Sequence, residues 1–362
     1  MVNTILKEAD LFCPNSVRIN FTIYHMTINA IDLFAGCGGL TEGLEQAGIT
    51  VKYAVELDPR ISKIYEGNHH KTIMINSDIR RISDDDFRRM GHVDIVAGCP
   101  PCQGFTQMNR NNKRRAYSDK RNILIEEYLR AVKIIKPNFI MMENVPQIIY
   151  YDRFNSMLEE LKEIGYSIDF KEINVKDFGI PQSRRRLVLI GALSHDVDFP
   201  FRMNTPVKTV RDAIESLPKP TDSSDPIHRI HSNHTPYIQH IIELIPKNGG
   251  NRKNLPKKYW LECHKKANIG YSDVYGRMFW DRPSPTITGG CLSPSKGRFL
   301  HPTQNRSISV REASILQSFP IDYYFDDKCP KTILAQMIGN AIPPKFAKIQ
   351  GLYIKEMIEN ED

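Results

Sequence analysis

The chain has 362 residues, 41% hydrophobic and 25% charged, which suits one large core plus a smaller second unit and excludes a disordered chain. Its longest apolar runs fall well short of the roughly 20 residues a membrane helix needs. The first residues also lack the pattern of a secretory signal, so a cytoplasmic protein with no membrane attachment is expected. Seven scattered cysteines favour free thiols over a disulfide framework, and a net charge of +7 permits a polyanionic partner without demanding one.

Residues 1–25 form no clear element and read as an N-terminal extension, with Met26 as an alternative start just before the first strand. Residues 28–34 read as a buried strand, followed by Gly36, Gly38 and Gly39 and a helix over 40–47 that stops at Gly48. A strand over 51–57 carries Glu56 near its end, and a helix over 59–66 precedes an extended segment at 72–76. The strand at 92–98 runs directly into Cys99-Pro100-Pro101-Cys102-Gln103-Gly104, too rich in proline to continue a strand or a helix. Ile125, Tyr128, Leu129, Val132 and Ile135 fall at helical spacing, as do Phe154, Met157, Leu158, Leu161 and Ile164, on either side of a strand at 139–142. Strands at 167–175 and 187–193 follow. Strands alternating with helices predict an α/β fold with a doubly wound, mostly parallel sheet over residues 26–200. A second, smaller unit is expected over 201–329, where prolines interrupt a polar stretch; helical character returns at 310–317 and 346–358.

A glycine turn between a first strand and its helix lets the backbone approach a cofactor, and an acid about 20 residues on can bind ribose hydroxyls. Gly36 and Glu56 meet that spacing. The pattern Ala35-Gly36-Cys37-Gly38-Gly39 lacks the third glycine that dinucleotide binding prefers, so a nucleoside cofactor without a pyrophosphate fits better; a plain tight turn is the bland alternative. Cys99 and Cys102 form a CxxC with no second pair and no histidine at ligand spacing, so redox and zinc readings are weak and no metal is expected. A single cysteine is by default a small buried hydrophobe. Cys102, however, lies beyond the carboxyl end of a strand, where open α/β sheets place their ligands, which makes it a catalytic candidate.

Glu143 ends an apolar strand, so its carboxyl is expected in the same crevice, where burial could raise its pKa for proton donation; backbone donors that satisfy it locally are the alternative. Arg184, Arg185 and Arg186 open a strand, and alternation sends Arg184 and Arg186 to one face and Arg185 to the other. A solvated basic face is the default for such a run. Residues 104–122 hold Arg110, Lys113, Arg114, Arg115, Lys120 and Arg121 against the single acid Asp119, which suits either a solvated loop or one that closes over nucleic-acid phosphates.

Taken in order, five segments resemble the motifs of the cytosine-C5 DNA methyltransferase family: Asp32-Leu33-Phe34-Ala35-Gly36-Cys37-Gly38-Gly39, Gly98-Cys99-Pro100-Pro101-Cys102-Gln103-Gly104-Phe105, Glu143-Asn144-Val145, Gln182-Ser183-Arg184-Arg185-Arg186 and Gly339-Asn340-Ala341-Ile342-Pro343. Arg282-Pro283-Ser284-Pro285-Thr286-Ile287-Thr288 resembles the family's motif after its variable target-recognition region. The resemblance implies a Rossmann-like methyltransferase fold dependent on S-adenosylmethionine, a target-recognition unit at 201–329, and a segment at 330–362 that returns to the catalytic unit. It implies that Cys102 attacks C6 of a flipped-out cytosine, Glu143 protonates N3, Arg186 holds the O2 side and Arg184 supports the same pocket.

By the same matching, Phe34 and Gly36, with Cys37 and Gly38, would contact S-adenosylmethionine, Glu56 its ribose, Leu57 its adenine, and Asp78 with Ile79 the purine edge. Pro101, Leu124, Asn340 and Ile342 would complete that pocket, and Gln103, Arg110, Lys113, Arg114 and Arg115 would contact double-stranded DNA. A monomer in a bacterial restriction-modification system, with any cognate endonuclease acting separately, is the default expectation. The nearest rival is a tRNA cytosine methyltransferase of the same broad family, whose usual Cys-Phe-Thr element is absent. A silent binding module would leave Cys102, Glu143 and Arg186 without a task. A nicotinamide-dependent oxidoreductase would do the same to Pro101-Cys102-Gln103.

Overall fold

The computed structural model describes residues 27–101, 124–200, 203–262, 265 and 273–360. The first unit is built on one sheet of seven strands: β1 (Asn29–Leu33), β2 (Thr50–Glu56), β3 (Ile73–Asn76), β4 (Ile95–Gly98), β5 (Phe139–Asn144), β6 (Ser167–Asn174) and β7 (Arg185–Ala192). Their order is β3-β2-β1-β4-β5-β7-β6. The first five pair in parallel, while β7 runs antiparallel to both β5 and β6. The expected mostly parallel, doubly wound sheet is therefore present. Its strand order reverses between β1 and β4, and ligands of open α/β sheets bind beyond the carboxyl ends of strands at such a point.

Alternation along the strands feeds two cores. Helices α1 (Gly39–Gln46) and α11 (Pro344–Glu359) cover one face, where Leu40, Leu44, Phe346 and Ile354 pack with Ala97 and Met141. Helices α4 (Leu124–Ile135) and α5 (Asp152–Glu163) cover the other, where Tyr128, Val132, Phe154 and Met157 pack with Leu33, Val96 and Met142. Among the described residues, this unit also holds α2 (Pro59–Glu66) and the short α3 (Asp84–Arg89). The last helix sits on the first because Gly43 leaves room for it: a Cβ there would lie 2.3 Å from the Pro344 carbonyl oxygen and 2.5 Å from Ala347 Cβ.

Beyond residue 203 the chain forms short helices, α6 (Val210–Ile214), α7 (Pro226–Arg229), α8 (Pro236–Leu244) and α9 (Val310–Leu316), two of them opened by a proline in the first helical turn. The core of α6, α7 and α9, with Ile287, Phe319, Tyr323 and Met337, extends to Cys37 in the glycine turn, while α8 packs in a separate cluster with Leu255, Val274 and Leu300. Helix α10 (Lys331–Asn340) carries no clear sequence period because it is apolar on most sides: Leu334, Ala335, Met337 and Ile338 are all buried. Among the described residues, no helix is long and apolar enough to cross a membrane.

Candidate active site

Three neighbouring strand ends lie at the carboxyl edge of the sheet: the glycine turn after β1, the proline loop after β4, and Glu143 with Asn144 at the end of β5. The glycine turn is tightly wound. Phe34 takes φ 63, Gly36 φ 57 and Gly38 φ 93, so two glycines occupy positions where a side chain would be strained, and Phe34 accepts that conformation. A Cβ built on Gly36 meets nothing within 4 Å, which leaves open space along that part of the backbone.

Glu56, at the end of β2, braces the turn from below. One carboxylate oxygen accepts the Gly36 N–H at 2.9 Å and the other accepts the Asp58 N–H at 2.9 Å. Burial raises the pKa of Glu56, and those amide donors pull it partly back. Leu57, beside it, is 64% exposed, an apolar side chain open to solvent. Asp78 closes the end of β3; both of its oxygens are engaged by Arg80, at 2.9 Å from Nε and 2.5 Å from Nη2, and this partner lowers its pKa. Ile79 is buried in the sheet core. Asp32, four residues before Gly36, is fully buried; the Thr41 hydroxyl donates to Oδ2 at 2.7 Å and Oδ1 has no partner. Burial pushes Asp32 up to about 7.

Ile342 comes from the far end of the chain and is buried with its carbonyl oxygen pressed on Gly39, where a Cβ would approach it to 2.6 Å. Asn340 is exposed, Pro101 is half-buried, and Leu124 packs from the start of α4. Cys102, Gln103, Arg110, Lys113, Arg114 and Arg115 lie outside the described residues.

The chain leading to Cys102 is nevertheless anchored. Asn144 Nδ2 donates to the Pro100 carbonyl at 2.9 Å, and Asn144 Oδ1 accepts the Val145 N–H at 2.8 Å, which ties the proline loop to the end of β5. Sequence reading gave Asn144 no role. The available signal was a buried polar residue beside Glu143 in an otherwise apolar strand. Cys99 suits the default reading for a cysteine: burial pushes its thiol well above the ordinary range, with the carboxylates of Glu143 and Asp32 adding to the effect, so it stays protonated and a poor nucleophile.

Glu143 is 6% exposed, and Arg186 Nε stands 2.7 Å from its Oε1. The N–H is not aimed along that line, so the buried Oε1 keeps its hydrogen-bonding capacity. The arginine run divides as alternation predicts. Arg185 faces out to Glu172 at 2.7 Å, and Arg186 faces Glu143. Arg184, 1% exposed, donates to the carbonyls of Ile287, Gly339 and Ala341 at 3.0, 3.0 and 3.1 Å. Burial pushes it down to about 9, which leaves it charged at neutral pH. It fastens the second unit and the segment after α10 to the start of β7.

The profile of the C-5 cytosine-specific DNA methylase family matches residues 28–356. The Type II methylase M.HgiDII of Herpetosiphon aurantiacus is 35% identical over 350 residues, covering 91% of this chain and 95% of that protein. The Type II methyltransferase M1.HphI of Haemophilus parahaemolyticus is 33% identical over 97% of this chain and 93% of its own. Among solved structures, the S. pombe Dnmt2 methyltransferase superposes with a TM-score of 0.63 at 17% identity, over 92% of this chain and 99% of that one, and so shares the fold.

Proposed function

The chain belongs to the C-5 cytosine-specific DNA methylase family, and on that footing we propose how its own residues methylate C5 of a flipped-out cytosine in double-stranded DNA. The observation that carries the assignment of residues is the buried Glu143–Arg186 pair, set at the strand end to which Asn144 ties the loop that leads into Cys102.

The cofactor of such a family is S-adenosylmethionine, which supplies an electrophilic methyl group when bound. The residues present fit an adenosyl group. Open space at Gly36, the exposed apolar face of Leu57 and the carboxylate of Glu56 provide a backbone approach, an adenine platform and a ribose acceptor. Each Glu56 oxygen has a lone pair beyond the one given to the backbone. Phe34, Cys37, Gly38, Asp78, Ile79, Pro101, Leu124, Asn340 and Ile342 complete the pocket. Because Arg80 occupies the Asp78 carboxylate, its backbone is the more available partner for a purine edge.

A cytosine stacked in a duplex cannot reach this crevice, so it is flipped out, at a cost of a few kcal/mol. Cys102, as thiolate, adds to C6. Glu143 hydrogen-bonds and protonates the ring at N3, using the oxygen that Arg186 leaves unbonded, while Arg186 holds the O2 side and keeps the carboxyl in place. Addition at C6 converts C5 into an enamine-like carbon able to take a methyl group. Loss of the C5 proton and expulsion of Cys102 then restore aromaticity. Gln103 and the basic residues Arg110, Lys113, Arg114 and Arg115 hold DNA phosphates and close behind the base. The target sequence is read by the region at 204–281.

The relatives at 33–35% identity are Type II enzymes, which favours a restriction-modification role over a tRNA substrate. In that role the chain acts as a cytoplasmic monomer that protects host DNA from a separate endonuclease. The test is incubation with S-adenosylmethionine and a mixed-sequence duplex followed by bisulfite sequencing. Protection of cytosines in one short sequence context is expected, and Cys102→Ala should abolish it. Methylation of RNA but not DNA would overturn the substrate, and turnover by Cys102→Ala would overturn the mechanism.

A further inference from the structure

We infer that Tyr323, His69 and Glu45 form a hydrogen-bonded relay that fixes the cofactor turn, making Tyr323 a positioning residue for S-adenosylmethionine. The inference rests on the cofactor reading above. Tyr323 belongs to the segment after α9, 286 residues beyond Cys37, and its hydroxyl lies 2.5 Å from the Cys37 carbonyl oxygen. The same hydroxyl lies 3.0 Å from His69 Nε2, and His69 Nδ1 lies 2.8 Å from Glu45 Oε2.

Counting hydrogens gives the relay a direction. A carbonyl oxygen only accepts, so at this separation the single hydroxyl hydrogen of Tyr323 lies on Cys37. The hydroxyl oxygen meets His69 Nε2 on its other side. The carboxylate of Glu45 in turn accepts from Nδ1. His69 is thus held on both ring nitrogens, between a carboxylate and a phenol. Glu42, Glu45 and His69 bring ligand atoms within 4.8 Å of one another, but Nδ1 already faces Glu45 and Nε2 the Tyr323 hydroxyl.

The relay has no slack. His69 is 2% and Tyr323 4% exposed. A Cβ on Gly38 would lie 2.5 Å from His69 Nε2 and 2.6 Å from the Tyr323 hydroxyl, so the turn rests directly on the pair. The segment carrying Tyr323 is itself tied down. Tyr324 N–H donates to Asn68 Oδ1 at 2.9 Å, Lys63 pairs with Asp326 at 2.8 Å, and Arg311 donates to the Tyr323 carbonyl at 2.9 Å. Displacing the hydroxyl removes this donor from the Cys37 carbonyl, one residue beyond Gly36, whose amide Glu56 holds.

The test compares Tyr323→Phe, His69→Phe and Glu45→Gln with the parent enzyme by calorimetric titration of S-adenosylmethionine, steady-state kinetics and thermal melting. Tyr323→Phe removes one donor from a buried carbonyl and should weaken cofactor binding about tenfold. It should raise the KM for cofactor alike, while kcat at saturating cofactor and the KM for DNA stay within about twofold. His69→Phe should match it, and Glu45→Gln, which keeps an acceptor for Nδ1, should lose less. A lowered melting temperature with cofactor affinity unchanged in both Tyr323→Phe and His69→Phe would overturn the relay and reduce these residues to packing. If the parent enzyme binds no S-adenosylmethionine, the cofactor reading itself fails.

Discussion

Arg184→Lys separates two roles for one side chain. The resemblance implies support of the cytosine pocket, whereas the geometry makes Arg184 a clamp on the carbonyls of Ile287, Gly339 and Ala341. Lysine keeps the charge but lacks the planar fork, and its ammonium can serve one or two of three carbonyls fixed for a guanidinium. Each buried carbonyl left bare costs about 1–3 kcal/mol, so the loss should be about 3 kcal/mol. The clamp also has no room to readjust: a Cβ on Gly339 would lie 2.2 Å from the Thr288 carbonyl carbon, so the two clamped segments already cross at contact distance. Asn340 sits between the clamped residues and Ile342 follows them, so cofactor affinity should fall with stability. Urea unfolding and calorimetric titration of S-adenosylmethionine read both quantities on the same protein. A variant within about 1 kcal/mol of the parent would refute the clamp. A loss of kcat alone, with stability and cofactor affinity intact, would return Arg184 to the base pocket.

Two further predictions concern groups the mechanism does not use. Asp32 has a folded-state pKa raised by burial from 3.8 to about 7, so its ionisation opposes folding. The cost is absent below the unfolded value, grows as pH rises from about 4 to about 7, and is then constant, at up to about 4 kcal/mol. Asp32→Asn keeps an acceptor for Thr41 and should melt with the parent near pH 4 but above it at pH 8; a gap that does not change with pH would contradict this. Gln350, in α11, is fully buried with both amide atoms unpartnered. Gln350→Met should therefore raise stability by about 1 kcal/mol in urea unfolding, and a loss would show that the amide has a partner after all.

What could be read from the sequence was what local chemistry determines. Glu56 and Glu143 are acids ending apolar strands, and a strand end in a doubly wound sheet points at the ligand crevice whatever the rest of the chain does. Arg185 and Arg186 parted by simple alternation. Arg184 obeyed the same rule, yet the rule could not name its partners, because they lie 103, 155 and 157 residues away and are backbone carbonyls, which carry no sequence signature. Asn144 was visible as a residue and invisible as an anchor for the same reason: its partner is the carbonyl of Pro100. Tyr323 reaches a carbonyl too.

The glycines mark these joints in a form that becomes legible only in three dimensions. Along the chain Gly38 and Gly39 read as a turn and Gly339 as part of a motif, while nothing singles out Gly43. In the fold each is a place where a Cβ would strike a distant segment: His69 and Tyr323, Ile342, Pro344, and Thr288 respectively. The glycine turn is thus compressed between the first helix, the second unit and the returning C-terminal segment. A pocket walled by three separate stretches of chain can hold its shape only while all three stay docked. Cofactor affinity should therefore respond to packing changes at Gly43 or Gly339 that touch neither ligand nor base.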